Sequence, residues 1–331
     1  MTIALLLEWV IKSIIIIVII LGGFAYLTLF ERRVLARMQS RIGPNRAGPW
    51  GLLQPVADGI KLIFKEELIP ARADKILFIV APVITVVPAL ILLAVIPFGP
   101  RLGMYEQGLA AGVDIGILYI MAVSSIAVYG IVIAGWSSNN KYALLGGLRS
   151  SAQMVSYELA LGLAFIGPIL LAHSLSVDAI VAAQQKLWFI FLQPIGFLIF
   201  LLASIAEVNR APFDMPEAEQ ELVAGYHVEY SGMKFALFFM AEYGKMIAVS
   251  FITATLFLGG YWGPFVNQIP LLGPLYLFAK VVALLFFMIW LRATLPRFRY
   301  DQLMAFNWKL MLPLALFNVA ATAVLVVVLG G

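Results

Sequence analysis

The stretch Ile14-Ile-Ile-Ile-Val-Ile-Ile-Leu-Gly-Gly-Phe-Ala-Tyr-Leu-Thr-Leu-Phe30 carries no charged side chain, and Glu31-Arg32-Arg33 follows it at once. Together with the mainly apolar residues before it, the run reaches the ~20 residues that a helix needs to cross a bilayer core. It is too long for a cleaved leader's apolar core, and arginines close it, so it reads as an uncleaved first span. Working outward, eight such stretches recur: Ala4–Phe30, Ile76–Phe98, Ile115–Trp136, Met154–Leu171, Leu187–Ala206, Phe235–Gly259, Leu275–Leu291 and Leu310–Leu329. The expectation is an all-α polytopic membrane protein of about eight transmembrane helices, one transmembrane domain over residues 1–331. The gaps hold no soluble domain, internal repeat or low-complexity segment.

Composition supports this. Of 331 residues 63% are hydrophobic and 12% charged, with a mean hydropathy of +0.98. Soluble domains are about 45–50% apolar and about 25% charged, so much of this side-chain surface must face lipid. The net charge is only +4; the high isoelectric point reflects where the basic residues sit and is no nucleic-acid footprint. Cysteine is absent and only His173 and His227 are present. Disulfides, thiolate zinc sites and cysteine-ligated iron–sulfur clusters are thereby excluded from this chain. A bis-histidine haem is disfavoured too, since the two histidines fall in loops on opposite sides. No G-x-G-x-x-G follows a strand pattern and no phosphate-loop lysine motif occurs, so no nucleotide cradle is signalled.

Orientation follows from the loops. Residues 31–75 form a basic loop with Arg32, Arg33, Arg37, Arg41, Arg46, Lys61, Lys65, Arg72 and Lys75. The same side takes Lys141, Arg149, Arg210, Lys234, Arg292, Arg297, Arg299 and Lys309, whereas the opposite loops hold Arg101 and Lys186. The basic side is expected to be cytoplasmic, with both termini outside. Within the first loop, Leu53, Val56, Ile60, Ile63 and Phe64 recur at helical spacing opposite Gln54, Asp58, Lys61 and Lys65, and Pro55 suits a first turn. This predicts an amphipathic helix at the cytoplasmic interface. It serves as an anchor alone, or its polar stripe roofs a cavity; both readings stand.

Ionisable groups within spans are costly and point to function. Glu158, Glu242, Lys245 and Lys280 are such groups, and Glu207 sits where the fifth span meets the cytoplasm. The structural alternative is an i, i+3 pair of Glu242 with Lys245 and a snorkelling Lys280. Residues 207–234 form an acidic loop that breaks the basic pattern, with Asp214, Glu217, Glu219, Glu221 and Glu229 around Arg210. Asp214 and Glu217 fit a capping box. The remaining carboxylates form a like-charge cluster, which couples titrations and suits proton handling. The arginines of the first loop suit lipid headgroups, acidic partners or a polar quinone head.

Several motifs resemble the quinone-chamber membrane subunit of respiratory complex I in its bacterial form. They are Glu31-Arg-Arg with Met38-Gln-Ser-Arg-Ile-Gly-Pro-Asn-Arg46, Gly51-Leu-Leu-Gln-Pro55, Ala57-Asp-Gly-Ile-Lys-Leu62, Gly135-Trp-Ser-Ser-Asn-Asn-Lys-Tyr142 and Ser156-Tyr-Glu-Leu159. Ala206-Glu-Val-Asn-Arg-Ala-Pro-Phe-Asp214, Pro216-Glu-Ala-Glu-Gln-Glu-Leu-Val223, Ala241-Glu-Tyr243 and Arg297-Phe-Arg-Tyr-Asp-Gln-Leu-Met304 complete the set, over nearly the whole chain. The resemblance implies a proton-pumping NADH:quinone oxidoreductase of the bacterial inner membrane. This chain would have no independent activity and no bound cofactor. Quinone would be the substrate, FMN and iron–sulfur clusters would sit on partner subunits, and the partners would be the other membrane-arm and peripheral-arm subunits and lipids. It further implies quinone binding at Arg32, Arg41, Asp58, Phe239 and Arg292. The implied polar path is Glu158, Glu207, Asp214, Glu217, Glu219, Glu221, Glu229 and Glu242. One departure is Ser125, where some bacterial members carry glutamate, so no relay is assigned to the third span. Two other readings are the related membrane subunit of an energy-converting hydrogenase and a stand-alone ion transporter. The stretch from Pro216 to Gly225 resembles the quinone-linked family more closely, and a transporter predicts inverted repeats, which are not evident.

Overall fold

A computed structural model describes residues 3–99, 114–215 and 223–330. Helices account for all the regular structure there: α1 (Ile3–Met38), α2 (Gln54–Ile63), α3 (Lys75–Ile91), α4 (Gly116–Ser137), α5 (Lys141–Ala172), α6 (Val177–Ala183), α7 (Phe189–Leu192), α8 (Pro194–Glu207), α9 (Gly232–Phe257), α10 (Leu272–Thr294), α11 (Tyr300–Phe306) and α12 (Leu312–Gly330). A 3₁₀ turn extends α3 to Val95, and a π-helical turn, Asn307–Met311, joins α11 to α12 without a break. Among the described residues seven helical segments are long and apolar enough to cross a membrane: Leu7–Met38, Lys75–Val95, Gly116–Ser137, Lys141–Ala172, Gly232–Phe257, Leu272–Thr294 and Tyr300–Val328. They correspond to seven of the eight expected spans.

The eighth, expected over Leu187–Ala206, is built differently. The four-residue α7 stops at Gln193, whose φ of −136° and ψ of 61° are not helical, and Pro194 starts the 14-residue α8. At 1.5 Å per residue α8 is about 21 Å long, shorter than the ~30 Å hydrocarbon core. A break at this depth needs its polar groups covered. Gln193 Nε2 donates to Thr322 Oγ1 of α12 at 2.8 Å, and both residues are buried.

Local chemistry fixes the other helix ends. Asp74 caps α3 by accepting from the amides of Ile76 and Leu77 at 3.1 and 3.3 Å. Asn140 caps α5 by accepting from Tyr142 N at 2.9 Å. Small residues then let helices touch. A Cβ on Gly130 of α4 would lie 2.2 Å from Thr85 Oγ1 and 2.9 Å from Thr85 N of α3. That close approach is the usual means of packing helices where lipid supplies no hydrophobic drive. Phe165, Phe200 and Phe257 fill the centre, with centroids 5.1 and 5.4 Å apart along the series.

The loops of the basic set meet at one end of the bundle. Asp74 N donates to Ser137 O at 3.1 Å, Lys234 pairs with Glu67 at 2.7 Å, and Phe298 N donates to Pro212 O at 3.2 Å. At the other end Gln184 Nε2 donates to Thr255 O at 2.8 Å, and Ile117 N to Leu175 O at 3.1 Å. The chain therefore passes from one end to the other between Gln184 and Arg210, so the short α8 completes a crossing. The expected interfacial helix is present as α2, with none of its residues buried, and it packs against α1 and α9.

Candidate functional site

Because α1 extends eight residues past Phe30, its last turns carry Glu31 and Arg32 to the loop end of the bundle. Glu31 is only 3% exposed. Its Oε1 receives Arg292, from the last turn of α10, and lies 3.6 Å from Arg210 Nη1. Arg210, 7% exposed, also pairs through Nε with Glu242 of α9, and its guanidinium lies 4.1 Å from the Tyr243 ring centroid. Two acids and two bases from α1, the 207–234 loop, α9 and α10 thus make one buried ionic cluster. Burial alone would weaken the proton affinity of Arg210. Glu242, Tyr243 and Glu31 outweigh that and hold it above its ordinary value.

One turn along α9 from the cluster is Lys245, also buried, which shares one small cavity with Glu207 and another with Glu242. Ser124 of α4 lines a cavity with Glu207, and Ser125 of the same helix donates to Glu158. The position noted as a departure from the family therefore supports a carboxylate directly. Cavities of about 20 Å³ flank Lys245 on two sides, one lined by Ser124, Ser204 and Glu207, the other by Thr85, Asn209 and Glu242. Each has room for about one water. Glu242 is engaged by Arg210 from another element, so its role is not limited to an i, i+3 pair within α9.

The residues expected to bind quinone fall around the outside of this cluster. Arg32 pairs with Asp58 of α2 at 2.8 Å, and Gln54 donates to the same carboxylate at 3.0 Å. Arg292 is held on Glu31. Arg41 donates to Gln39 at 2.7 Å and lines a groove of about 1110 Å³ between the 41–50 loop, α1 and α10. Phe239 stands apart from these, 4.6 Å from Phe235 and 6.0 Å from His227 by ring centroids. Of the expected polar path, Glu158, Glu207 and Glu242 converge on Lys245. Glu229 instead receives Asn140 Nδ2 at 2.7 Å. Glu217, Glu219 and Glu221 lie outside the described residues, and the expected capping box of Asp214 with Glu217 lies there too.

Lys280 does not snorkel to the surface. Its Nζ donates to the carbonyls of Leu258, Gly260 and Trp262 at 2.6, 2.8 and 2.7 Å, at the far end of the bundle and apart from the ionic series. It serves there as the cation that closes the C-terminus of α9. Among the described residues no group of three or more His, Asp or Glu is arranged to hold a metal ion.

Sequence reasoning did not single out Glu31 and used Arg210 only as a foil for the acidic loop. The available signal was placement: Glu31, Arg210, Glu242 and Arg292 each sit at or near a span end on one side. His227 was missed as well. It is 6% exposed, packs edge-on to Tyr226, Phe235 and Phe239, and burial pushes its imidazole down to about 4.

Residues 11–323 match the family described as NADH dehydrogenase. The chain is 53% identical over 317 residues to the H subunit of NADH-quinone oxidoreductase from Thermomicrobium roseum, with 92% of each chain covered. It is 52% identical over 332 residues to the second H-type chain of the Geobacter metallireducens enzyme, covering 96% of this chain and 95% of the relative. It is also 52% identical over 317 residues to subunit 8 of the corresponding Thermus thermophilus oxidoreductase, covering 95% and 86%.

Proposed function

From the premise that this chain belongs to the NADH dehydrogenase family, as a membrane subunit of NADH-quinone oxidoreductase, we propose that it shapes the quinone tunnel and couples quinone reduction to proton translocation. It has no independent activity. The observation that carries the coupling role is the ionic series from the loop end into the bundle: Arg292, Glu31, Arg210, Glu242, Lys245, Glu207 and Glu158. Four carboxyls face three bases, so full ionisation would leave one net negative charge in a low-dielectric interior. One proton taken up by the series neutralises it, and its position among the carboxyls responds to any charge that changes at the loop end.

Quinone would be taken up beside Arg32, Arg41, Asp58, Phe239 and Arg292, where the interfacial helix α2 meets α1. Asp214, Glu217, Glu219, Glu221 and Glu229 of the 207–234 loop would pass the resulting change toward Glu242 and Glu207. FMN and iron–sulfur clusters would belong to peripheral-arm partners, and this chain would sit in a bacterial inner membrane with both termini outside. The hydrogenase and transporter readings have no observation in their favour.

Glu207→Gln in the assembled complex tests the coupling. Proton pumping in proteoliposomes is expected to fall at least ten-fold, with quinone reduction falling alongside, while electron transfer to an artificial acceptor at the peripheral arm persists. Parental pumping and turnover in a complex assembled to the parental level would refute a proton role for Glu207 and leave it a buried structural carboxyl.

A further inference from the structure

The groove between α1, α10 and the 41–50 loop shares only Arg41 with the quinone reading, which leaves its Arg33 and Arg37 unused. Its volume is about 1110 Å³, and three arginines line it: Arg33 and Arg37, one turn apart on α1, and Arg41 just past its end. Among the described residues no acidic side chain lines it. Arg32, by contrast, points to Asp58 and is already neutralised. The groove thus concentrates positive charge at the loop end of two spans, with no acidic partner among the described residues. Its remaining walls are apolar, including Phe30, Val34 and Phe286.

Two further features bear on the occupant. Phe286 is the end of a stripe on α10, Phe278, Val282 and Phe286 at i, i+4, i+8, all exposed, which leads from the groove toward the middle of the bilayer. Trp50, which lines the groove's mouth, is 81% exposed and held at φ 54°, a left-handed conformation that bulky side chains rarely adopt. Such strain persists where surrounding structure imposes it and is common at ligand clamps. An indole at this level is also a typical interfacial anchor. A ligand that matches all of this has an anionic head and a long apolar tail. A quinone head brings no charge to three guanidinium groups, and a free anion leaves the apolar stripe uncovered.

We propose that this groove is a binding site for an anionic membrane phospholipid, its phosphate held by Arg33 and Arg37 on α1 and its acyl chain laid along Phe286, Val282 and Phe278. Arginine forks suit phosphate oxygens, and a basic cluster beside a span is the usual means of selecting anionic lipid. The inference rests on the membrane placement of α1 and α10 and is independent of the coupling role.

The test uses the assembled complex in phosphatidylcholine nanodiscs, titrated with phosphatidylglycerol that carries a photoactivatable group on its acyl chain, with the cross-linked peptides mapped. Saturable labelling of the peptides around Phe30–Val34 and Phe278–Phe286 is expected. Unlabelled phosphatidylglycerol should compete, whereas excess phosphatidylcholine or inorganic phosphate should not. Arg33→Ala with Arg37→Ala should weaken the labelling affinity about thirty-fold, from about five-fold per basic residue, and Arg33→Lys with Arg37→Lys should restore most of it. Equal labelling by a phosphatidylcholine probe would overturn the proposal, and so would displacement by a short-chain quinone. Competition by inorganic phosphate alone would reduce it to an anion site. Labelling absent because a neighbouring subunit covers the groove would assign the arginines to a protein interface and overturn it as well.

Discussion

Replacing Arg210 with methionine should unsettle the loop end of this protein more than replacing any of its ion partners. The guanidinium touches Glu242, stands 3.6 Å from Glu31 and covers the Tyr243 ring at 4.1 Å, with 7% of its surface exposed. In the parent, Glu31 and Glu242 are balanced by Arg210 and Arg292. Arg210→Met leaves a buried net charge of about −1, and breaking one side of a buried pair costs about 3–5 kcal/mol. Methionine fills similar volume, so little of this loss comes from a cavity. Glu242→Gln removes one charge while Glu31 still engages Arg210, and should cost less, about 1–3 kcal/mol. The double substitution returns the cluster to neutrality with the Glu31–Arg292 pair intact. It should therefore be more stable than Arg210→Met alone, with a coupling of about 1.5 kcal/mol or more. The assay is the half-life of the assembled complex at a fixed elevated temperature, followed on native gels, where each ~1.4 kcal/mol in the barrier is ten-fold in rate. Arg210→Met is expected to shorten the half-life by roughly two to three orders of magnitude, and Glu242→Gln in its background to lengthen it again. If the two losses simply added, to within about 0.5 kcal/mol, the four groups would not act as one cluster.

Three further outcomes follow from other parts of the structure. Burial lowers His227 from its ordinary 6.5 to about 4, so the unfolded chain binds more protons than the folded one between those values. Stability is full above about pH 6.5 and is lost as pH falls toward 4, by about 2 kcal/mol between pH 7.5 and 5; His227→Phe should remove that acid-side loss in thermal-shift curves at the two pH values, and an unchanged loss would exonerate the imidazole. Gly130→Ala forces a methyl against Thr85 Oγ1 and its backbone amide, so α3 and α4 must part at about 1–3 kcal/mol, whereas Gly22→Ala meets nothing within 4 Å and should leave the thermal midpoint unchanged or raised. A cysteine placed at Asn139, beside the cap of α5, should react with an impermeant thiol reagent only from the cytoplasmic side in inverted vesicles, and labelling from the periplasmic side would reverse the topology.

The spans were legible because lipid imposes a simple rule, a run of apolar residues long enough to satisfy its own backbone, and seven of the eight runs obey it. The segment at 187–207 was legible as a crossing but not as a broken one. Its apolar content hides the single interruption at Gln193-Pro194, and the bond from Gln193 to Thr322 that covers the break joins residues far apart in sequence. The interfacial helix α2 was legible for the opposite reason, since its two-sided pattern is local. The candidate site divides along the same line. Glu158, Glu207 and Glu242 stand out in any sequence as charges in costly places. The partners Arg210 and Glu31 do not, because they acquire meaning only when four elements bring them together with Glu242 and Arg292. Lys280 shows the converse: an intramembrane charge with the expected cost, which the structure uses to satisfy three carbonyls at a helix end.

That contrast separates two uses of charge in one bundle. At the far end a single ammonium meets neutral carbonyls at 2.6–2.8 Å, and among the described residues no acidic partner shares it. Such a site has one arrangement and nothing to exchange. At the loop end Glu31 lies between Arg292 and Arg210, and Glu207 shares a small cavity with Ser124 and Lys245. Multiple partners of opposite sign make alternative pairings close in energy, and each small cavity beside Lys245 has room for about one water to bridge them. A bistable element is what a coupling device requires, since a change at one site can only bias arrangements that already compete. The placement of multiply shared charge at the loop end, together with α2 and the arginine-lined groove, therefore assigns the responsive half of this subunit to the loop end of the bundle and the fixed half to the other end.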